Sequence, residues 1–351
     1  MALFSTPPRS LCILRLSAIG DVCNTIAAVQ TIQCQWPSTE ITWITGKLEA
    51  QLIEDLEGIR VITFDKKQGW KGYKALWTQL KGERFDALLH MQYALRASIA
   101  TLGIKAKYKL GFDSERSQDF QHLFTNVKVP SPNKNHVLDG LLAFCSTLGI
   151  DDIKPNWSIP YSSENNIWAS NQLDVSKRNL VLVPAASKGY KNWHAKGYAE
   201  VIIHAHQLGW NIILAGSPAQ IEIDLAEQVQ SLTEQAVTNL VGKSTLKEML
   251  ALLDGADLVI APDTGPAHMA NAVNTPVVGL YAHHNPKRTG PYQYVDYVVS
   301  AYEEALLAET GKTPEQVSWR TRVKDKAAMN RIQASQVIAM FDKAIADFDL
   351  H

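Results

Sequence analysis

The chain has 351 residues, 46% of them hydrophobic and 20% charged, with a formal net charge of −1 at pH 7. That length suits two domains, and the composition excludes a disordered or fibrous chain. Near-neutrality removes any global pull toward nucleic acid or membrane, so a charged partner must be met by a local patch. The four cysteines (Cys12, Cys23, Cys34, Cys145) are scattered and form no CxxC pair. They read as buried thiols in a reducing compartment, not as a zinc site or disulfide framework. No secretory leader is visible, nor any apolar run near the roughly 18 residues of a membrane span. The expectation is a cytoplasmic protein whose membrane contact is peripheral.

The first apolar run predicts a strand at 11–16, leading into LRLSAIGDVCNT (14–25) and a helix over 21–36. An anion-binding turn at this point would offer glycines and bare N–H groups. This one has a single glycine, Gly20, and then Asp21. A negative charge thus stands where a phosphate would sit, and a plain helix cap is one reading of it. Strands follow at 41–45, 60–64, 86–90 and 107–111, with helices at 47–57, 71–82 and 93–102 between them. Residues 66–136 hold thirteen Lys or Arg against five Asp or Glu, and Trp70, Tyr73 and Trp77 interleave with Lys71 and Lys74. Such a stretch suits an anionic acceptor or an anionic membrane face, or else it is a solvated helix face. No helix-turn-helix, zinc or RNA-binding motif accompanies it, which argues against nucleic acid.

Residues 151–178 are rich in Pro, Ser, Asn and Asp and lack periodicity, which is linker composition. The expected division is a domain at 1–160, a linker at 161–178, a domain at 179–330 and a terminal helix within 331–351. That helix could cap either domain, and a return to the first is the assignment made. In the second half, strands are predicted at 179–185, 211–216, 238–242, 257–262 and 276–281, and helices at 195–208, 218–233, 245–254 and 266–273. Alternating strands and helices argue for parallel sheets with right-handed crossovers. The fold class is therefore α/β, with two Rossmann-like domains facing across a cleft and ligands beyond the carboxyl ends of the strands.

The strongest motif is LVIAPDTGPAHMANAV (258–273). A strand ends at Pro262, Asp263 or Thr264 can cap the next helix, and Pro266 sits where a missing N–H costs nothing. N–H groups near Thr264, Gly265 and Ala267 would hold a pyrophosphate without a metal, with His268 adding a donor or a charge. A well-capped packing helix with a buried histidine is the alternative. In PAASKGYKNWHAKGYAEV (184–201), small residues around Ser187 allow close backbone approach, and Lys188 and Lys191 bring ammonium groups to the same sheet end. In LAGSPAQIE (214–222), Gln220 or Glu222 could reach a ribose hydroxyl.

Together, RLSAIGDVCNT, SKGYKNW, LAGSPAQIE and APDTGPAHMANAVNTPVVGLY resemble the heptosyltransferases of glycosyltransferase family 9, over about 11–340. YKLGFDSERSQDFQHLF and WRTRVKDKAAMNRI look similar to the subgroup that adds the first heptose to the Kdo sugar of lipid A. The resemblance implies a GT-B fold, ADP-heptose as donor, Kdo-lipid A as acceptor, inversion at the anomeric carbon, and no metal or other cofactor. By position it implies Asp21 as the base and Lys191, Asp263, Thr264, Gly265 and His268 at the donor, to which the strand-end loops add Ser187, Lys188, Gln220 and Glu222 as donor candidates. Many members have glutamate where this chain has Gln220, which leaves open which residue holds the donor's hydroxyls. The acceptor candidates are Ser17, Lys66, Lys67, Lys71, Lys74, Gln92 and Arg116. The enzyme is expected to act as a monomer at the anionic inner-membrane face. A nucleotide-dependent oxidoreductase fits less well, since no GxGxxG follows the first strand. Another donor, a later heptose position, or a non-enzymatic nucleotide-sugar-binding protein remain as alternatives.

Overall fold

A computed structural model describes residues 2–351, in which the chain forms two units divided between Pro160 and Tyr161. The first holds strands β1 (Ser10–Leu14), β2 (Glu40–Gly46), β3 (Ile59–Phe64), β4 (Phe85–His90), β5 (Ala106–Phe112) and β6 (Val127–Val129). Its helices are α1 (Ile19–Gln35), α2 (Lys47–Ile53), α3 (Trp70–Gln79), α4 (Leu95–Ala100) and α5 (Val137–Leu148). The second unit opens with α6 (Ser163–Ser170) and holds β7 (Asn179–Leu182), β8 (Asn211–Leu214), β9 (Thr238–Asn239), β10 (Leu258–Pro262), β11 (Val277–Tyr281) and β12 (Val298–Ser300). Its further helices are α7 (Ala195–Gln207), α8 (Gln220–Ser231), α9 (Leu246–Asp254), α10 (Gly265–Ala272), α11 (Pro286–Thr289), α12 (Tyr302–Thr310) and α13 (Ala334–Asp347).

All paired strands are parallel, and the sheet orders are β3-β2-β1-β4-β5-β6 and β12-β11-β10-β7-β8-β9. Counted within each unit, both sheets have the order 3-2-1-4-5-6. The strand order therefore reverses between β1 and β4 in one unit and between β7 and β10 in the other. Crevices at such reversals, beyond the carboxyl ends, are where open α/β sheets bind ligands. Register aligns the ends: Leu14 is level with Ile44 and His90, and Pro262 with Leu280. The turns after these strands thus leave from one edge of each sheet.

Central strands are covered on both faces, which is why Leu11–Leu14 and Val277–Tyr281 read as unbroken apolar runs. Helix α1 is buried from Val22 to Ile32, polar residues included.

The structure departs from expectation in four places. The segment read as linker contains α6, which Ser162 caps by accepting from the Asn165 N–H at 3.2 Å. Helices α5, α11 and α12 and strands β6 and β12 are not among the expected elements. Three cysteines are buried, but Cys34 is exposed near the end of α1. Finally, α13 does not return to the first unit: Val337, Phe341, Ala344 and Ile345 join the apolar core of the second. His204 on α7 meets Asp342 at 2.7 Å, and Trp193 donates to the Ile332 carbonyl at 3.0 Å.

Candidate functional site

In the first unit the turn after β1 presents Asp21 at the third position of α1. The N-cap, Ala18, has no side chain to cap with, and its N–H donates to Asp21 Oδ2 at 3.3 Å. The same oxygen is paired with Arg15. Arg15 is itself buried and fixed, donating to Met91 O at 2.6 Å and Ser17 O at 3.0 Å. Asp21 Oδ1 has no partner among the described residues, and the side chain is 40% exposed. A carboxylate held on one oxygen and open on the other can accept a proton without moving. Arg15 was not singled out in the sequence, although its buried charge next to a strand end is the kind of group that needs a counter-ion.

Behind this turn, buried Gln92 accepts from the Leu16 N–H at 2.7 Å and donates to Ser17 Oγ at 3.3 Å. Gln92 and Ser17 are thus brought together, with Gln92 shaping the turn. Beside Ser17 lies a cleft of about 420 Å³ at the ends of β1, β2 and β3, lined in part by Lys47, Glu49, Lys66, Lys67 and Arg96. Lys47 and Arg96 were missed as site residues, because only folding brings them to the loop that carries Lys66. Burial pushes the Glu49 carboxyl up, against the lowering effect of Lys66, Arg96 and Arg15. Lys71 and Lys74 are exposed on α3, beside a cluster in which Trp70 and Tyr73 stand 5.3 Å apart. Arg116 does not join them. It is buried, and its guanidinium donates to the carbonyls of Lys134 (2.7 Å) and His136 (3.3 Å), bracing the loop before α5.

In the second unit the loops after β7, β10 and β11 converge. Lys191 Nζ donates to Asp263 Oδ2 at 2.7 Å and to Asp263 O at 3.3 Å. His284, three residues beyond β11, donates from Nδ1 to the same Oδ2 at 2.5 Å. Burial opposes ionisation of Asp263, yet the His284 hydrogen bond and the Lys191 charge outweigh it and hold the carboxyl far below the usual range. The motif spacing drew attention to Lys191 and Asp263, but His284 had no local signal. Thr264 is the N-cap of α10 in extended conformation, and no side chain caps the helix. The expected side-chain cap is therefore corrected, because Asp263 is turned to Lys191 and His284 instead. Pro266 lies in the first turn as predicted, Thr264 and Gly265 are half-buried, and His268 is buried one turn in.

Ser187 and Lys188 are exposed in a loop closed by Asn192, whose Oδ1 accepts from the Ala186 N–H at 2.7 Å. Glu222 is buried, and Ser217 occupies both of its oxygens, N–H at 2.7 Å and hydroxyl at 2.6 Å. The carboxylate expected as a ribose contact therefore closes its own turn. Gln220 is exposed and donates to Asp224 at 2.7 Å.

A family model described as glycosyltransferase family 9 (heptosyltransferase) matches residues 73–317. The chain is 48% identical to the lipopolysaccharide core heptosyltransferase OpsX of Haemophilus influenzae over 343 residues, covering 98% of this chain and 99% of that protein. Among solved structures, a family 9 glycosyl transferase from Veillonella parvula superposes with a TM-score of 0.78 at 21% identity, covering 98% of this chain and 99% of that one. Escherichia coli heptosyltransferase WaaC with ADP gives 0.73 at 21% identity, covering 95% and 99%. The expected GT-B class, α/β with two parallel sheets, is the fold these neighbours share.

Proposed function

Because the chain belongs to glycosyltransferase family 9 and is a heptosyltransferase, we propose that it moves heptose from ADP-L-glycero-D-manno-heptose to a Kdo residue of the lipopolysaccharide inner core. Transfer proceeds with inversion and without a metal. One observation carries this reading: two sheets of the same strand order are furnished differently at their ends. One offers a carboxylate open on one oxygen, the other a lysine held on an aspartate beside a helix start. A glycosyl transfer needs both, a base for the acceptor hydroxyl and a cradle for the diphosphate.

In this mechanism the diphosphate lies against the N–H groups at the start of α10, with Lys191 alongside. The acceptor oxygen attacks the anomeric carbon from the face opposite the diphosphate. As the new C–O bond forms, Asp21 Oδ1 takes the hydroxyl proton, and the bond to the diphosphate breaks to release ADP. The diphosphate charge is met by main-chain dipoles and side-chain cations, so no step calls for a metal. The cleft with Lys47, Lys66, Lys67 and Arg96 suits an acceptor that carries carboxylates or phosphates. The test is transfer of labelled heptose to Kdo-lipid A by the native enzyme and by Asp21→Asn. Near-native transfer by a folded variant removes the base assignment, and binding without transfer by the native chain favours a nucleotide-sugar-binding protein.

The acceptor is a lipid, and we take the enzyme to act as a cytoplasmic monomer that meets the anionic inner-membrane face. Among the described residues no helix is long and apolar enough to cross a membrane. The first unit nevertheless exposes Trp70, Leu95, Phe120 and Leu123, and with them Lys66, Lys67, Lys71 and Arg96, the mixture that suits an anionic bilayer surface. Asp119 and Phe120 hold left-handed backbone at φ 50 and 61, uncommon for a side chain as bulky as Phe, and Phe120 is exposed. Phe120→Ser with Leu123→Ser is expected to reduce co-flotation with phosphatidylglycerol vesicles severalfold; unchanged flotation sinks the membrane contact.

A further inference from the structure

Lys191 poses a problem of charge. As the phosphate contact of a donor it should offer an open cation, yet its ammonium sits on Asp263 Oδ2 at 2.7 Å. A lysine and an aspartate in contact sum to zero and attract a diphosphate weakly. His284 changes that sum, because it donates Nδ1 to the same oxygen at 2.5 Å. With the imidazole protonated, the three groups carry one net positive charge.

We propose that His284 is a catalytic residue of the donor site: anchored as an imidazolium on Asp263, it supplies the cluster's net positive charge and offers Nε2–H to the diphosphate leaving group. This rests on the donor reading of the second unit. The anchor stands immediately before Thr264, the N-cap of α10, so the cluster is covalently tied to the helix start that would receive the phosphates. Strands β10 and β11 are paired neighbours, which brings the loop of His284 to that of Asp263. Nε2 of His284 has no hydrogen-bond partner among the described residues.

The proton state decides what Nε2 can do. With Nδ1–H committed to Asp263, a neutral ring leaves a lone pair on Nε2, which would repel an anion. The imidazolium donates from both nitrogens, and its bond to an ionised carboxylate is charge-assisted. As the bond to the anomeric carbon breaks, charge grows on the diphosphate, and a cation fixed from behind meets it without reorganising. The titratable groups around the ring are Asp263 and Lys191 on the shared oxygen, with Tyr281 and His283 in the same recess. His283 donates Nδ1 to Val323 O at 3.0 Å, and the Tyr281 hydroxyl donates to Thr289 O at 3.1 Å. His268 on α10 is a further imidazole of the donor loops.

The experiment is calorimetric titration of the full chain with ADP-heptose, without acceptor, between about pH 6 and about pH 9. The diphosphate of this ligand is esterified at both ends and does not titrate in that range, so the slope belongs to the protein. Native affinity is expected to fall as pH rises. His284→Gln, which keeps an amide donor but carries no charge, should bind about tenfold more weakly at the acid end and lose the slope. His284→Asn is the second variant, and thermal melting checks that each is folded. A variant that binds weakly but keeps the native slope overturns the proposal, since packing alone would produce that. Equal affinity and slope in native and variant chains overturn it too. A native chain that does not bind ADP-heptose at all removes the donor reading beneath it, which is a different and separable failure.

Discussion

Asp21 and Asp263 are two carboxylates at the ends of two sheets with one strand order, each with Oδ2 occupied and Oδ1 without a partner among the described residues. They differ in depth and company. Asp21 is 40% exposed and paired with one cation, Arg15, while Asp263 is 14% exposed and shares its oxygen between Lys191 and His284. An exposed carboxylate with one oxygen open can give and take a proton at little structural cost. A buried one between two cations is fixed in its charged state and serves to hold others in place. On the proposed mechanism the same residue type serves as a base in one unit and an anchor in the other, because of what lies beneath it.

That contrast can be broken by giving each residue the same change. Asp21→Asn is expected to slow heptose transfer by about 10²–10⁴ while leaving stability and ADP-heptose affinity near native values. Single-turnover rates and calorimetry check this, and a loss confined to affinity would refute the division of roles. Asp263→Asn should instead destabilise the second unit by about 2–4 kcal/mol, because it leaves Lys191 and His284 side by side without their counter-ion. Urea denaturation followed by hydrogen exchange in each unit reads that effect. Equal losses of stability in both variants would mean the two carboxylates do the same work.

Much of this contrast was legible in the sequence, and the missing part has a physical reason. The strand-helix alternation and DTGPAH are local patterns, so the parallel sheets and the start of α10 could be read directly. Asp21 stood out for a local reason too, a charge at a turn with only one glycine. Arg15 and His284 could not be read that way, since each matters only through a partner that folding brings near. Arg116 and Glu222 show the opposite error. Their residue types suited ligand contacts, but burial commits Arg116 to carbonyls of the loop before α5 and Glu222 to Ser217. Helix α6 was missed because its eight residues carry little apolar periodicity and pack on α9 late in the chain.

Acid sharpens the comparison with a smaller effect, because the two units should weaken over different pH windows. In the first unit, burial lowers the His90 pKa to about 3, with the nearby charges of Arg15 and Lys109 adding to the shift. Its Nε2 meets Ser98 Oγ at 3.0 Å, and Nδ1 is buried with no partner, so the fold keeps the ring neutral. The unfolded chain takes up this proton near pH 6.5. Stability from His90 is therefore present above about pH 6.5 and is lost as pH falls toward 3, by at most about 1.4 kcal/mol per pH unit. Asp263 also has a lowered folded value, but its unfolded reference is near 3.9, so the second unit keeps this contribution until pH falls below about 4. Burial also lowers the His194 pKa in the second unit, by less than that of His90, so hydrogen exchange at about pH 5 should find the first unit loosened more than the second. His90→Gln, which cannot take the proton, should flatten the slope of the first unit alone. A slope that survives this substitution assigns the acid sensitivity to another group and leaves the two units alike in this respect.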